Sequence, residues 1–432
     1  MVRLATAITA LLSASMVAMA ADDEIQCSRD QHCPKEKPCC GQAGICGTGD
    51  RCLGGCDPLA SYTVDSCAPM PICKSGKYNN WKNTDNFQPN GRFLGNTSEA
   101  TWMSSGTIIT NDGNLLLTMA KDTKGSLLAY NHYIWYGKVT AKMKTSREKG
   151  VVTGFILMSD VKDEIDWESV GSELTAPQTN YYWQGVLDYT NGGNASTSDT
   201  FENWHTFGFD WKPDELTWLV DGKEVRKLKK EETYNETSKI YQYPQTPSRL
   251  QLSLWPGGDP DLPEGTREWA GGDISWDTDD IKDPGYYYAT FAEIEIECYD
   301  PPEGAEVDGD RSYVYIDDKG LESSVKITDK DTVLASWEAT GLNMTAGAEK
   351  HQKGEDAPSS SSDDDFIIGA GARGQDGSSG SDGSGGSPTV TGFSQGDSPT
   401  PTDNMAPGSN ERMLQGSSMF AVLVAMVALI AF

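Results

Sequence analysis

Basic residues are scarce in this sequence. Its 432 residues include 35 Lys and Arg against 64 Asp and Glu, which gives a formal net charge of −29. Because nucleic-acid phosphates need a basic surface, this charge argues against a nucleic-acid partner, whereas a neutral polysaccharide is compatible with it. Histidine is also rare. The four residues, His32, His132, His205 and His351, show no metal-ligand spacing, so we expect no metal and no other cofactor.

A long helical period is absent from the middle of the chain. From about Tyr78 to Asp300, short runs rich in Val, Ile, Thr, Tyr, Phe and Trp alternate with Gly, Asn, Asp and Pro turns. This pattern predicts an all-β fold in which two sheets pack as a sandwich. A chain of this length is expected to contain more than one folded unit.

The two ends of the sequence predict secretion and a lipid anchor. Residues 1–20 combine Arg3, an apolar run and an Ala18-Met19-Ala20 cleavage pattern, which is typical of a signal peptide. Residues 408–432 begin with Gly408-Ser409-Asn410 and continue into a polar spacer and an apolar tail. This layout indicates a glycosylphosphatidylinositol (GPI) attachment signal, with a tail-anchored helix as the alternative. We therefore expect the protein to be secreted and held at the outer face of the plasma membrane.

Cysteines and glycosylation sequons fit this compartment. The ten cysteines are an even number, and disulfides are the expected state in a secreted chain. Seven of them lie between residues 27 and 56, a stretch too short to bury a sufficient core without cross-links. Asn-x-Ser/Thr sequons predict N-glycans at Asn96, Asn194, Asn235 and Asn343.

The most informative stretch runs from Asp163 to Glu168, Asp-Glu-Ile-Asp-Trp-Glu. Its period of two predicts a strand with Glu164, Asp166 and Glu168 on one face. The apolar run before it predicts a partner strand and a turn at Val161-Lys162. Retaining glycosidases place two carboxyl groups about 5–5.5 Å apart. The Cα atoms of Glu164 and Glu168 would lie roughly 13 Å apart on a straight strand, and their side chains can lean together.

Spacing alone does not establish catalysis, because alternating acids are also typical of a solvated strand. Glu293, Glu295 and Glu297 repeat the same spacing, with Ala292, Ile294 and Ile296 between and beside them. We expect this second series to face water on an outer sheet surface.

Residues 155–168, Phe-Ile-Leu-Met-Ser-Asp-x-x-Asp-Glu-Ile-Asp-Trp-Glu, resemble the active-site strand of glycoside hydrolase family 16, in particular its fungal Crh-type cell-wall transglycosylases. The resemblance spans roughly residues 78–300. It implies a concanavalin-like β-jelly roll in which Glu164 is the nucleophile, Asp166 its supporting acid and Glu168 the general acid/base. It also implies transfer of a chitin-type donor to β-glucan in the cell wall. An endo-β-glucan hydrolase and a non-catalytic wall-binding protein are the alternatives.

Residues 39–47, Cys-Cys-Gly-Gln-Ala-Gly-Ile-Cys-Gly, resemble the hevein-like chitin-binding module, carbohydrate-binding module family 18. The resemblance implies the pairs Cys27–Cys40, Cys33–Cys46 and Cys39–Cys52. It leaves open the pairing of Cys56, Cys67, Cys73 and Cys298. Such modules stack aromatic rings on N-acetylglucosamine, but the matching positions here are Ala43, Ile45 and Arg51. Chitin binding and a purely structural role are both open for this module.

Aromatic and amide side chains near the acidic strand are the expected sugar contacts, because pyranose rings present apolar C–H faces. The predicted substrate-binding residues are Gln178, Asn180, Tyr181, Trp255, Trp269 and Trp276, of which Trp269 and Trp276 are expected to hold the acceptor. His205 is expected either to contact Glu168 or substrate, or to be a buried structural residue.

The predicted organisation of the chain has seven parts. They are a signal peptide (1–20), a cysteine-rich module (21–60), a linker (61–77), the jelly roll (78–310), an extension without an assigned fold (311–345), a disordered Ser/Gly/Asp-rich stalk (346–407) and the anchor signal (408–432). The expected partners are polysaccharides and, through the lipid, a membrane, and the protein is expected to be monomeric.

Overall fold

A computed structural model of the chain describes residues 24–353. The predicted signal peptide, the anchor signal with Gly408, Ser409 and Asn410, and the predicted stalk beyond residue 353 lie outside the described residues. Within residues 24–353, no helix is both long enough and apolar enough to cross a membrane.

The described residues form many short strands and few helices, and the bounds follow in chain order. Before the central region lie β1 (Cys39–Cys40), β2 (Cys46–Gly47), β3 (Met70–Pro71) and β4 (Gly76–Tyr78). The central region contains β5 (Phe87–Pro89), β6 (Trp102–Ser105), β7 (Ile108–Asn111), β8 (Asn114–Ala120), β9 (Ser126–Tyr130), β10 (Gly137–Lys144), β11 (Val151–Ser159), β12 (Glu164–Val170), β13 (Gln178–Tyr182), β14 (Gly193–Asn194), β15 (His205–Trp211), β16 (Glu215–Val220), β17 (Lys223–Lys229), β18 (Tyr234–Asn235), β19 (Ile240–Tyr241), β20 (Ser248–Pro256) and β21 (Tyr286–Cys298). After it come β22 (Glu306–Asp308), β23 (Ser312–Tyr315) and β24 (Val325–Thr328), and the α-helices are α1 (Glu264–Trp269), α2 (Asp279–Lys282) and α3 (Ala348–Gln352).

Two eight-stranded sheets make up the central sandwich. The β12 sheet has the order β14-β13-β12-β11-β20-β9-β6-β5. The β21 sheet has the order β17-β16-β15-β10-β21-β8-β7, and β4 also pairs with β21. This architecture confirms the predicted all-β jelly-roll fold.

The core between the sheets fixes which way β12 faces. Ile165 and Trp167 belong to the main buried cluster, and the Trp167 side chain is 1% exposed. The Trp167 indole N–H donates a hydrogen bond of 3.1 Å to the Gly208 carbonyl, which lies on β15 of the opposite sheet. Because side chains alternate along a strand, Glu164, Asp166 and Glu168 face away from this core.

The second acidic series lies on the outer face of the β21 sheet, as predicted. Ile294 and Ile296 are buried in the core, so the intervening glutamates face outward. The Lys77 ammonium contacts the carboxylates of Glu293 and Glu295 at 2.6 and 3.1 Å. These acids are thus a solvated series with a surface counter-ion, in contrast to the acids of β12.

The N-terminal module is cross-linked as its resemblance implies. The structure pairs Cys27 with Cys40, Cys33 with Cys46, and Cys39 with Cys52. Two further disulfides join Cys56 to Cys67 and Cys73 to Cys298. The sequence leaves these two pairings open. The Cys56–Cys67 disulfide joins nearby residues, whereas the Cys73–Cys298 disulfide joins residues 225 positions apart.

The predicted linker and extension fold against each other and against the module. Strand β3, within the predicted linker, completes a four-stranded sheet with β22, β24 and β23. Residues further along return to the module, where Thr48 Oγ1 donates to the Trp337 carbonyl and Gly49 N donates to the Ala339 carbonyl, both at 2.8 Å. Backbone pairing with β23 and β21 and two disulfides hold residues 61–77 in place.

Replacing Trp167 with Phe should destabilise the sandwich by about 1–3 kcal/mol, because the buried indole loses both volume and its hydrogen bond to Gly208. Chemical denaturation with the disulfides intact measures the loss. Trp204→Phe is the matched control, since Trp204 is 36% exposed, and it should change the unfolding free energy by less than about 0.5 kcal/mol. Equal effects of the two substitutions would contradict the assignment of Trp167 to the core.

Candidate active site

The outward face of the β12 sheet around Glu164, Asp166 and Glu168, which we call the acidic face, is assembled from three neighbouring strands. Directly opposed residues in an antiparallel pair point to the same side of the sheet. The resulting rows across β11, β12 and β13 are Met158–Glu164–Tyr182, Ile156–Asp166–Asn180 and Gly154–Glu168–Gln178. The three acids therefore share their face with an apolar strand on one side and with amide and phenol groups on the other.

The three acids are enclosed to different degrees. Glu164 and Asp166 are only 4% and 1% exposed although they face away from the core, whereas Glu168 is half-buried. Burial raises the pKa of the Asp166 carboxyl well above its usual value, and the negative charges of Glu164 and Glu168 raise it further. Arg226 opposes this change only partly. The neutral form of Asp166 is therefore favoured more than that of an ordinary carboxyl group, and Asp166 lies between the two glutamates along the strand.

Tyr182 is a further polar group at this site that sequence reasoning missed. Its hydroxyl accepts a hydrogen bond of 2.7 Å from the Asn180 side-chain amide. Burial, followed by the charges of Asp166, Glu164 and Glu168, raises the pKa of Tyr182. The phenol therefore stays protonated and can donate toward the acids. Strand alternation was the available signal, because residues 178, 180 and 182 share one face.

The prediction that Tyr181 binds substrate is wrong. Tyr181 lies opposite Ile165 in the ladder between β12 and β13, so it points to the core side with that residue. It belongs to the buried core cluster, and the Arg226 guanidinium lies 5.8 Å from its ring centre. The sequence contains two consecutive tyrosines, Tyr181 and Tyr182. The pairing of β13 with β12 places Tyr182, and not Tyr181, on the acidic face.

Trp269 and Gln178 form a bridge at the Glu168 end of the acidic face. The Trp269 indole N–H donates a hydrogen bond of 2.8 Å to the Gln178 side-chain oxygen, and Gln178 is the ladder partner of Glu168. Trp255 shares this sheet face through its pairing with Val152. It is buried beneath Trp269, and the two rings stack with centroids 6.0 Å apart. Trp269 is half-buried and thus the ring available to a ligand, while Trp255 supports it.

Two other candidates lie elsewhere. Trp276 packs against Tyr287 of the β21 sheet, with ring centroids 5.9 Å apart, and does not join the Trp269 bridge. His205 contacts Ser198 and Asp221, both at 2.8 Å, which makes it a structural residue and not a partner of Glu168.

Strand β20 adds a polar row that the prediction did not include. Arg249, Gln251 and Ser253 alternate with three leucines, and they pair with Met158, Ile156 and Gly154 of β11. This pairing places them on the acidic face, next to the apolar β11 side chains. The alternation is visible in the sequence, but the sequence-based prediction includes only Trp255, at the end of this strand.

Among the described residues, one group of three, Cys27, Cys33 and Cys40, has ligand atoms close enough together for a metal ion. All three are in disulfides and therefore offer no thiolate. The acidic face instead combines two glutamate carboxyl groups, an aspartate with a raised pKa between them, and an indole and an amide at one end. This set is chemically suited to displacement at an anomeric carbon.

Comparison with known proteins places these residues in a family context. Residues 95–271 match the model for glycosyl hydrolases family 16. The chain is 56% identical to "Crh-like protein 2" of Aspergillus fumigatus over the full length of both proteins. It is 47% identical to "Congo red hypersensitive protein 2" of Saccharomyces cerevisiae, covering 74% of this chain and 70% of that protein. The solved structure "Crh5 transglycosylase in complex with NAG" has 30% identity and a TM-score of 0.50, covering 63% of this chain and 99% of that one.

The raised pKa of Asp166 predicts how Asp166→Asn changes stability with pH. The folded state holds this proton more tightly than the unfolded state, so wild-type stability falls as the pH rises above the ordinary carboxyl value. The neutral amide removes this loss. Relative to wild type, Asp166→Asn should therefore gain stability with rising pH, by at most about 1.4 kcal/mol per pH unit.

Thermal unfolding of both proteins between pH 4 and 8 measures this difference. Burial raises the pKa values of Asp160 and Asp163 to about 6, but both proteins contain these groups, so their contribution cancels. Asp261→Asn, at an exposed position, is the control and should show no such trend. A constant difference between Asp166→Asn and wild type would mean that Asp166 is ionised across this range.

Proposed function

Because this chain belongs to the Crh-like proteins of glycosyl hydrolase family 16, we propose that it is a retaining cell-wall transglycosylase whose reaction takes place on the acidic face of β12. The observation that carries the proposal is the geometry of this strand. Packing of Ile165 and Trp167 into the core directs Glu164 and Glu168 to one side, with Asp166, whose pKa is raised, between them.

In this proposal, Glu164 and Glu168 divide the chemistry of a double displacement. The Glu164 carboxylate attacks the anomeric carbon while Glu168 protonates the departing glycosidic oxygen, and the C–O bond breaks. A glycosyl-enzyme ester results. Glu168 then removes a proton from the acceptor hydroxyl, whose oxygen attacks the anomeric carbon and releases Glu164. The configuration at this carbon is retained.

Asp166 acts on Glu164 and does not itself react. A proton on Asp166 reduces the repulsion among three neighbouring carboxyl groups and allows Asp166 to donate a hydrogen bond to Glu164. Tyr182 lies beside Glu164 and Asn180 beside Asp166, in neighbouring rows of the acidic face, and both are suited to bind sugar hydroxyl groups near the reacting carbon.

The substrates in this proposal are polysaccharides, with a chitin-type donor and a β-glucan acceptor. The related structure named for a complex with NAG supports an N-acetylglucosamine-containing donor. Trp269 with Gln178 lies beside Glu168, which makes this pair the proposed acceptor surface. An acceptor bound there would compete with water for the glycosyl-enzyme, and this competition decides between transfer and hydrolysis.

We further propose a GPI-anchored monomer at the cell wall and outer plasma membrane, based on the sequences of the two ends. The proposed domains are those predicted from the sequence, with residues 61–77 and 311–345 assigned to one subdomain with the N-terminal module. Asn96, Asn194, Asn235 and Asn343 are the proposed glycan sites. Asn194 pairs with Gln178 at the edge of the acidic face, so its glycan would border the acceptor surface.

Glu164→Gln should reduce transfer at least about 1000-fold, because an amide cannot form the ester intermediate. Glu168→Gln should slow transfer by about 100- to 10,000-fold with natural donors and much less with an activated aryl glycoside, whose leaving group needs no proton. Initial rates with both donor types test the two roles. Glu297→Gln, from the solvated series on β21, is the matched control and should keep wild-type activity.

Product analysis tests the choice of transfer over hydrolysis. Incubation with a labelled chito-oligosaccharide and a labelled laminari-oligosaccharide should produce hybrid oligosaccharides that carry both labels. Hydrolysis products alone would indicate the endo-β-glucanase alternative. The absence of any product from wild type, with intact binding to wall polysaccharide, would indicate the non-catalytic alternative.

A further inference from the structure

The turn that leads into Glu164 is held by contacts from several distant parts of the chain. This β11–β12 turn comprises residues 160–163 and ends at Asp163, whose side chain is fully buried. One oxygen of Asp163 accepts hydrogen bonds from Gln245 N, Thr246 N and Thr246 Oγ1 at 2.9, 3.2 and 2.7 Å. The other oxygen accepts from Gln184 N at 3.0 Å. The residue directly before Glu164 is therefore fixed to two separate loops.

Gln184 connects this turn to the N-terminal module and to the C-terminal extension. Its side-chain amide donates to the carbonyls of Lys319 and Gly320 at 2.7 and 2.9 Å. Its side-chain oxygen accepts from Arg29 Nη1 of the module at 2.9 Å. The second nitrogen of that guanidinium, Nη2, donates to the Val161 carbonyl, within the turn itself, at 2.8 Å. One buried amide thus links three distant segments beside the turn.

A second contact between the module and the turn lies at Asp160. The Asp160 carboxylate accepts from Gly55 N of the module at 2.9 Å and from the Tyr133 hydroxyl at 2.8 Å. Nearby, Gly54 lies against Arg249 of the acidic face so closely that a Cβ at Gly54 would be 1.7 Å from the guanidinium. A side chain at residue 54 would have to displace this guanidinium, so the module lies directly against the side chains of the sheet.

The face on which a hevein-like module would hold sugar is not built for stacking in this chain. Arg51 occupies one of the three aromatic positions, and its aliphatic stem lies over Gly41 and Gly47, where a Cβ would meet it at 2.9 and 2.6 Å. The other two positions are Ala43 and Ile45. The module therefore has extensive contacts with the turn before Glu164 and no aromatic platform at these three positions.

We propose that the N-terminal module supports the nucleophile, with Arg29 and Gln184 as positioning residues that act through the β11–β12 turn. Docking of the module restricts the turn and so fixes where Glu164 points at the anomeric carbon. The role in the reaction rests on the proposed function, whereas the restriction of the turn does not. The module thus contributes to turnover and not to the affinity for chitin.

The test uses full-length protein and the variants Arg29→Ala and Arg29→Lys, with Lys35→Ala as the matched control. Lys35 is an exposed cation in the same module. Arg29→Ala should lower kcat about three- to tenfold, since two hydrogen bonds to the turn region are lost, while KM for the donor stays within about twofold. Arg29→Lys should recover part of kcat, because an ammonium group reaches one of the two acceptors. Lys35→Ala should match wild type.

A double-mutant cycle tests whether the two residues act as one link. Arg29→Ala combined with Gln184→Ala should be about as slow as the slower single variant, because either change breaks the same connection. Independent effects that multiply would overturn the link. A rise in KM for chito-oligosaccharide with unchanged kcat would overturn the support role in favour of a sugar contact.

Amide hydrogen exchange gives a readout that does not depend on the reaction. Exchange of residues 159–165 should be faster in Arg29→Ala than in wild type and unchanged in Lys35→Ala. Unchanged exchange in Arg29→Ala would overturn the inference whatever reaction the enzyme catalyses. If wild type forms no hybrid product while the exchange difference is present, the proposed function fails and the support of the turn stands.

Discussion

Three carboxyl groups on one face of one strand repel each other unless one of them is neutral. Here burial between the other two raises the pKa of the middle group, Asp166, and so favours its neutral form. Glu164 is enclosed together with Asp166, whereas Glu168 is more accessible. The chemistry proposed for this site depends on that difference, since a nucleophile and a proton donor need different charges at the same pH.

The same residue spacing has two outcomes in this sandwich, and the surroundings decide between them. On β21 the alternating glutamates lie in a sheet whose outer face is open to water, and the single positive charge of Lys77 contacts two of them. On β12 the alternating acids lie under neighbouring side chains, beside Tyr182, Asn180 and the Trp269 bridge. An alternating acidic strand therefore indicates a site only in combination with the side chains of the strands next to it.

The sequence was informative where the interactions are local. Alternation along residues 163–168 predicted the direction of each acid, and the cysteine spacing of the module matched a known pattern. The prediction failed where the position of a side chain depends on the pairing register of two strands or on contacts between distant residues. The choice between Tyr181 and Tyr182 depends on which residue pairs with Ile165, a property of two strands together. The links from Arg29 through Gln184 to the turn join residues more than 130 positions apart, which no local pattern reports.

The disulfide between Cys73 and Cys298 has a consequence for an enzyme outside the cell. It joins the chain just before β4 to the last residue of β21, so nearly the whole sandwich lies within one covalently closed ring. A protease that cuts any surface loop inside this ring leaves both fragments attached to each other. The nicked molecule keeps its two sheets at high effective concentration, and a single cleavage in the wall does not release either part.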